Sequence, residues 1–277
     1  ILTGSPVTKS PLDLYSQCNF LDERSLGYQS FFAFQNRYAI VQTRVMGARS
    51  FQEITGYRRL DELNERLFSF STRVLKDECL DLPEKMYIRR NVPLTMEQSK
   101  VYAQMNSLAL AHLNDDKVAT TASVLTQIMR LQQLCCGSFQ PDVGDLQELK
   151  NKRLPELMDI VDEVSGKAII WATYTNDIQR IAHALRDRFG PESVATYYGA
   201  TPQDARQAIV ERFQDVDSPL RFFVGQPKTG GYGITLTAAN TVIYYSNSYD
   251  LEIRLQSEDR AHRIGQRNPV TYIDLVS

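Results

Sequence analysis

From Asn151 to the last residue the chain alternates short apolar runs with amphipathic stripes, and nothing else in the sequence constrains the fold as strongly. Lys167-Ala-Ile-Ile-Trp-Ala-Thr173 is apolar on both faces of any strand it forms, as strands of a sheet covered on two sides are. Ser193–Tyr198, Leu220–Val224, Asn240–Ser246 and residues 270–276 read as further strands. Helical stripes lie between them: Leu154, Leu157, Ile160, Val161 and Val164, then Ile178, Ile181, Ala182, Leu185 and Phe189. Gly166 and Gly190-Pro191 end these two helices. Thr201-Pro202 reads as a cap with proline at the first helical position, opening a helix through Ile209 and Phe213, and a last helix is expected over 250–262. Parallel neighbours need a crossover, and helical crossovers at this pitch give a parallel sheet with helices on both faces. Functional loops are then expected at the carboxyl ends of the strands.

The first 150 residues are less regular. Ile1-Leu2-Thr3-Gly4-Ser5-Pro6 reads as the end of a strand running into a loop, as if the chain entered in the middle of a fold. Residues 11–80 look helical and irregular, with an aromatic cluster at Phe31, Phe32, Phe34 and Tyr38 and with Leu60, Leu63, Leu67 and Phe68 at helical spacing. Leu82-Pro83-Glu84-Lys85 breaks this pattern, residues 86–93 alternate as a strand does, and Thr95 precedes a helix through Tyr102, Met105 and Leu108. Another helix carries Val124, Leu125, Ile128, Leu131 and Leu134 before stopping at Cys135-Cys136-Gly137, and Phe139–Lys150 reads as a linker or exposed loop. The expected class is α/β, a parallel sheet preceded by a mostly helical region.

Charge and length bound the partners. With 31 Lys+Arg against 33 Asp+Glu the net charge is −2, which excludes a bulk polycation but not a local basic groove. Residues 37–76 hold eight basic against four acidic residues, either a solvated helical face or a groove that tracks phosphates. A chain of 277 residues, 43% apolar, suffices for one large or two modest domains. No apolar run approaches the ~20 residues that cross a bilayer and nothing at the start resembles a signal peptide, so a soluble intracellular protein without a membrane partner is expected. Cys18, Cys79, Cys135 and Cys136 show no CxxC spacing and read as buried or idle thiols.

Two segments carry chemistry. In Val224–Ala239 the glycines at 230, 231 and 233 let the backbone come close to a ligand, and exposed amides there suit phosphate oxygens; a plain tight loop between strand and helix fits equally well. In Arg254-Leu-Gln-Ser-Glu-Asp-Arg-Ala-His-Arg-Ile-Gly-Gln266, Arg260 and Arg263 are three apart and project from one side of a helix. Two guanidinium groups so placed grip an anionic oxygen cluster as lysine does not, unless Glu258 and Asp259 simply pair with them on a surface helix. His262 is expected to be packed or hydrogen-bonded rather than to act as a base. No G-x-x-x-x-G-K-[ST] string occurs, since Gly166-Lys167 runs into Ala168, so this sequence builds no triphosphate cradle of its own. The acidic pairs at 61–62 and 162–163 fall in helical patterns rather than at a strand end, and no metal ligands are assigned.

Together these pieces resemble the Swi/Snf family of DNA translocases within helicase superfamily two, over nearly the whole chain. Residues 1–6 are similar to the motif ending the first RecA-like lobe, and Leu12–Leu21, the Arg73–Lys76 pair, Leu82-Pro83-Glu84-Lys85 and Gln132–Gly137 continue the match. Lys167–Tyr174 resembles motif IV, Tyr198-Gly199-Ala200-Thr201 with Arg206 the next conserved turn, 228–239 motif V, and 256–266 motif VI almost letter for letter. The resemblance implies a RecA-like sheet, with residues 1–10 ending the first lobe, 11–150 forming a helical protrusion and linker, and 151–277 the second lobe. It implies Arg260 and Arg263 as arginine fingers toward the γ-phosphate, with Gln256, Asp259, Gly231 and Gly233 shaping the nucleotide cleft. Thr3, Thr173, Thr201, Arg206, Lys228, Gly230 and Thr235 are the implied DNA contacts, and region 31–76 would lie against the duplex. The implied cofactors are ATP and Mg2+, held mainly by a first lobe of the same protein, and the implied partner is double-stranded DNA. Gln226-Pro227 stand where the family usually has small hydroxyl residues, Lys228 replaces an arginine and Thr235 an asparagine. A single-strand helicase of the same superfamily and a non-catalytic binding module are the alternatives. The compact insertions and plain motifs look more like a bacterial or phage protein, which implies the cytoplasm or nucleoid, than a eukaryotic remodeller, which would imply the nucleus.

Overall fold

A computed structural model describes every residue except 5, 8, 47, 48, 115–120, 140–146, 231 and 232. The chain forms two compact units, Ile1–Leu80 and Asp81–Ser277.

In the first unit α1 (Asp13–Leu21) and α2 (Phe31–Tyr38) are followed by strands β1 (Ala39–Met46) and β2 (Arg49–Tyr57), then by α3 (Leu60–Phe68) and the single turn α4 (Lys76–Cys79). Ser30 starts α2 by accepting the Ala33 amide at 3.2 Å, which satisfies one of the free donors of a helix start. Leu12, Leu14, Cys18, Leu26, Phe34, Tyr38 and Leu63 form the core. Expected as helical and irregular, residues 39–57 are instead an antiparallel hairpin. Ile40, Val41, Thr43 and Val45 face a partner strand with Phe51, Ile54 and Tyr57, and such β-branched and aromatic side chains favour the pleated surface over a helix. The strand end expected at the start is not found either, since residues 1–4 form no strand and Ile1 and Leu2 are exposed.

The second unit is built on a six-stranded sheet. In chain order it contains β3 (Lys85–Asn91), α5 (Met96–Asn114), α6 (Thr121–Cys136), the short pair β4 (Ser138–Phe139) and β5 (Gln147–Glu148), α7 (Arg153–Glu163) and β6 (Lys167–Trp171). Then come α8 (Thr175–Phe189), β7 (Val194–Tyr197), α9 (Gln203–Gln214), β8 (Phe222–Gly225), the turn α10 (Pro227–Gly230), β9 (Ala239–Tyr244), α11 (Leu251–Glu258) and β10 (Val270–Val276). The strand order is β3-β10-β9-β6-β8-β7, and every neighbouring pair is parallel. Alternation along β6 explains why it is central: Ala168 and Ile170 enter one core with Leu157, Ile178 and Leu185, while Ile169 and Trp171 enter the other with Phe213, Phe223 and Tyr272. Thr95 and Gln98 form a reciprocal cap on α5, with amide-to-side-chain distances of 3.2 and 3.0 Å.

Three local expectations change. Pro202 occupies the cap position before α9, and the Thr201 hydroxyl caps no helix but donates to the Thr196 carbonyl and accepts from the Tyr198 amide. Helix α11 stops at Glu258 rather than reaching residue 262, so Arg260 and Arg263 stand on the turns beyond it. Part of the expected linker over 139–150 pairs as β4 and β5, and residues 140–146 lie outside the described residues. No helix among the described residues is long and apolar enough to cross a membrane.

Candidate functional site

The two arginines converge although no helix carries them. Arg260 Nη1 and Arg263 Nη1 both donate to the carbonyl of Ile234, each at 3.3 Å, and Arg260 Nε donates to the Gln256 carbonyl at 2.8 Å. The Arg260 carbonyl in turn accepts the Leu236 amide at 2.9 Å, which ties the arginine turn to the glycine-rich connection. Two cations thus share one neutral oxygen. Burial and the like charge of Arg263 lower the pKa of Arg260 from its ordinary value, with Asp259 acting the other way. Leu236 and Ala261 beside the pair belong to the core on this face of the sheet. Arg260 and Arg263 thus stand between α11 and β10, against the connection from β8 to β9, and not on a loop directly following a strand's carboxyl end, where the fold class alone places functional loops.

Glu258 does not serve the arginines. Its buried carboxylate accepts Arg254 Nε at 2.8 Å, Lys85 Nζ at 3.1 Å and Tyr87 Oη at 2.9 Å. Burial and the bond to Glu258 push the Tyr87 phenol up to about 12, so it remains a donor. Arg254 also reaches both oxygens of Asp274 and, at 2.7 Å, Asn247 Oδ1, with its guanidinium 3.5 Å from the centre of the Tyr244 ring. Burial opposes its charge, but the bonds to Asp274 and Glu258 outweigh that and raise its pKa. Glu258 is the i,i+4 neighbour of Arg254 on α11, but Asp274, Asn247 and the Tyr244 ring come from outside that helix and carry no signal in the local sequence. His262 is buried, with Nε2 2.7 Å from the Pro83 carbonyl, as expected of a packed histidine. Gln256 donates to Glu252 at 2.7 Å, and Gln266 Nε2 meets the carbonyls of Thr237, Ala239 and Ala261.

A second group gathers at the carboxyl ends of β6, β7, β8 and β9. Gln226 donates its side-chain amide to the Thr173 carbonyl at 3.0 Å and its backbone amide to the Tyr197 carbonyl at 3.0 Å. Thr173 joins Ser246 through its amide at 2.8 Å and its hydroxyl at 3.4 Å. Gln226, noted in the sequence only as a departure from a pattern, is thus the residue that bridges three strand ends. Arg206 donates to the Thr201 and Tyr198 carbonyls, Lys228 is exposed, and Thr235 is half-buried. Thr3 belongs to the first unit and is exposed there. Gly233 needs the left-handed conformation at φ +73°, whereas Gly231 lies outside the described residues.

Gly230 is glycine for a steric reason. A Cβ there would stand 2.6 and 2.7 Å from the Trp171 indole. Gly230→Ala is expected to lower stability by about 1–3 kcal/mol. Denaturant unfolding followed by the fluorescence of Trp171, the single tryptophan of the chain, would measure it.

Beneath α8 lies a buried polar network. Asp177 accepts Arg180 Nη2 at 2.7 Å and the Cys136 thiol, and Arg180 also meets the Tyr245 hydroxyl at 3.2 Å. Burial pushes the Asp177 carboxyl up to about 6 against the opposing charge of Arg180. The folded state therefore holds this proton more tightly than the unfolded chain. Its stabilisation is complete below the ordinary value of 3.8 and is lost as pH rises through about 6. Wild type relative to Asp177→Asn is expected to gain stability between pH 7 and pH 5, as read from paired urea midpoints across that range.

Residues 1–140 match the SNF2-related domain and residues 149–265 the helicase conserved C-terminal domain. The chain belongs to the SNF2 family. It is 28% identical over 275 residues to YwqA of Bacillus subtilis, which carries the name ATP-dependent helicase/translocase, covering 96% of this chain and 28% of that protein. It is 25% identical over 280 residues to the ATP-dependent helicase MG018 of Mycoplasma genitalium, covering all of this chain and 25% of the other. The chain thus spans about a quarter of the length of these relatives. Among solved structures, the SWI2/SNF2 ATPase core domain of Sulfolobus solfataricus superposes with a TM-score of 0.57 at 25% identity, covering 100% of this chain and 55% of that one. The same core in complex with dsDNA gives a TM-score of 0.57 at 24% identity over 100% of this chain and 57% of that one. The six-stranded parallel sheet of this SNF2 chain is accordingly RecA-like.

Proposed function

We propose that this SNF2 chain supplies the protrusion, expected over 11–150, and the second RecA-like lobe, expected over 151–277 and joined in its sheet by β3 from the earlier segment, of an ATP-dependent double-stranded DNA translocase, residues 1–10 ending its first lobe. The observation that carries the reading is the convergence of Arg260 and Arg263 on one carbonyl, which leaves two guanidinium groups with more donors and charge than that neutral acceptor satisfies. Such a pair fits the oxygens of a γ-phosphate. ATP supplies a phosphoryl group whose transfer to water releases the free energy for movement, and Mg2+ neutralises part of its charge. Arg260 and Arg263 exchange the Ile234 carbonyl for phosphate oxygens and stabilise charge as it develops. Gln256, Asp259, Gly231 and Gly233 shape that face of the cleft. No phosphate-cradling string occurs in the sequence, so the cradle and the Mg2+ ligands belong to the first lobe.

In the second unit the DNA contacts are Thr173, Arg206, Lys228 and Thr235, with Thr201 acting through the backbone of its turn because its hydroxyl is engaged on both sides, and with Gly230, buried against Trp171, acting only through the shape of its loop. Thr3 is a DNA contact of the first unit, taken by itself. The word translocase in the name of the Bacillus relative supports movement along a track, and the dsDNA complex of the Sulfolobus core supports duplex DNA as that track. The intact protein is expected to hydrolyse ATP faster with duplex DNA than with single strands. The 277-residue chain alone should turn over none. Turnover by this chain alone, or stimulation by single strands only, contradicts the proposal.

A further inference from the structure

β3 and the residues just before it meet the arginine turn at Glu258 and His262 and the start of β10 at Val270. Lys85 Nζ and Tyr87 Oη reach the Glu258 carboxylate at 3.1 and 2.9 Å, the Pro83 carbonyl is 2.7 Å from His262 Nε2, and the Glu84 carbonyl accepts the Val270 amide at 3.0 Å. We propose that Lys85 and Tyr87 are positioning residues for Arg260 and Arg263, fastening the turn that carries them to β3; this rests on the arginine-finger reading above.

Glu258 is the residue on which these contacts meet the turn. Its carbonyl accepts the Ala261 and His262 amides, each at 3.1 Å, and the Tyr272 hydroxyl at 3.0 Å, so the turn containing Arg260 folds around this one residue. The residue is 3% exposed, a place where a carboxylate needs full satisfaction. Three donors from two elements leave it one orientation. They hold its charge on the β3 side of the turn, while Arg260 and Arg263 point to the Ile234 carbonyl. Arg254 is shared between Glu258 and Asp274, so Lys85 supplies the second cation of this cluster. Because that cation comes from β3, it also fixes which way the Glu258 carboxylate and the turn behind it face. Tyr87 stacks on Tyr272 with ring centres 5.2 Å apart, which fixes its hydroxyl toward the carboxylate.

Positioning and catalysis separate in the kinetics. In the full-length protein, Lys85→Met and Tyr87→Phe are each expected to lower kcat for DNA-stimulated ATP hydrolysis about tenfold, because small displacements of a charge-stabilising group are costly. KM for ATP and duplex affinity should change less than about twofold, since neither residue binds substrate. Lys85→Arg, which restores the charge, should recover most of the rate. Unchanged kcat in both variants overturns the proposal, and so does a parallel fall in kcat, ATP binding and unfolding midpoint without rescue by Lys85→Arg. Arg260→Ala is the control. If it hydrolyses ATP normally the finger reading has failed; if it is inactive while Lys85→Met and Tyr87→Phe are normal, only the positioning role has.

Discussion

Arg260→Ala in the full-length protein is expected to bind ATP as wild type does and to lose roughly 10³–10⁵-fold in DNA-stimulated hydrolysis. The size follows from where the side chain acts. A guanidinium that meets charge only as it develops contributes to the barrier and little to ground-state binding, so kcat falls and the affinity for nucleotide does not. Arg263→Ala should behave alike, because both side chains start from the same Ile234 carbonyl. Arg260→Lys keeps the charge but loses the planar fork, and an intermediate loss is expected. Steady-state hydrolysis alongside nucleotide binding measured in the absence of turnover would check all three. Wild-type hydrolysis in Arg260→Ala removes the finger assignment.

Arg254→Ala is expected to destabilise the second unit by about 3–5 kcal/mol, the cost of stranding buried charges rather than of losing one contact. Arg254 faces Asp274, Glu258 and Asn247 and lies 3.5 Å from the centre of the Tyr244 ring. Its removal leaves two carboxylates short of a partner at once. Glu258 retains Lys85 and Tyr87, but Asp274 keeps only the Asn247 amide at 2.7 Å among the bonds described here. The urea midpoint of the 277-residue chain is the measurement. A loss below about 1 kcal/mol, the worth of an exposed ion pair, would mean that this cluster is solvated.

Much of the second unit was legible because its signals are local. The run from Ala168 to Trp171 alternates between two cores, and Leu157, Ile160 and Val161 keep to one helical face, so periodicity alone locates these elements. Other features depend on residues far apart in the chain. The β3 strand is readable as a strand, but its place beside β10 comes from pairing Tyr87 with Tyr272 across nearly the whole second unit. The hairpin over 39–57 was hidden because helical leucine and aromatic spacing on either side dominated the window. Proximity in sequence offers Glu258 as a partner of Arg260 and Arg263; the fold assigns it to Lys85, Tyr87 and Arg254.

The sequence by itself determined the α/β class, the family resemblance, the identity of the arginine pair and the lack of a phosphate-cradling string, since each is carried by residue type and short spacing. Only the tertiary structure decided that the arginines meet on a turn beyond α11, that Gln226 ties strand ends together and that Arg254 anchors the arginine segment. Hydrogen bonds and buried ion pairs select partners by distance and desolvation in three dimensions, and neither quantity is written in the order of the residues.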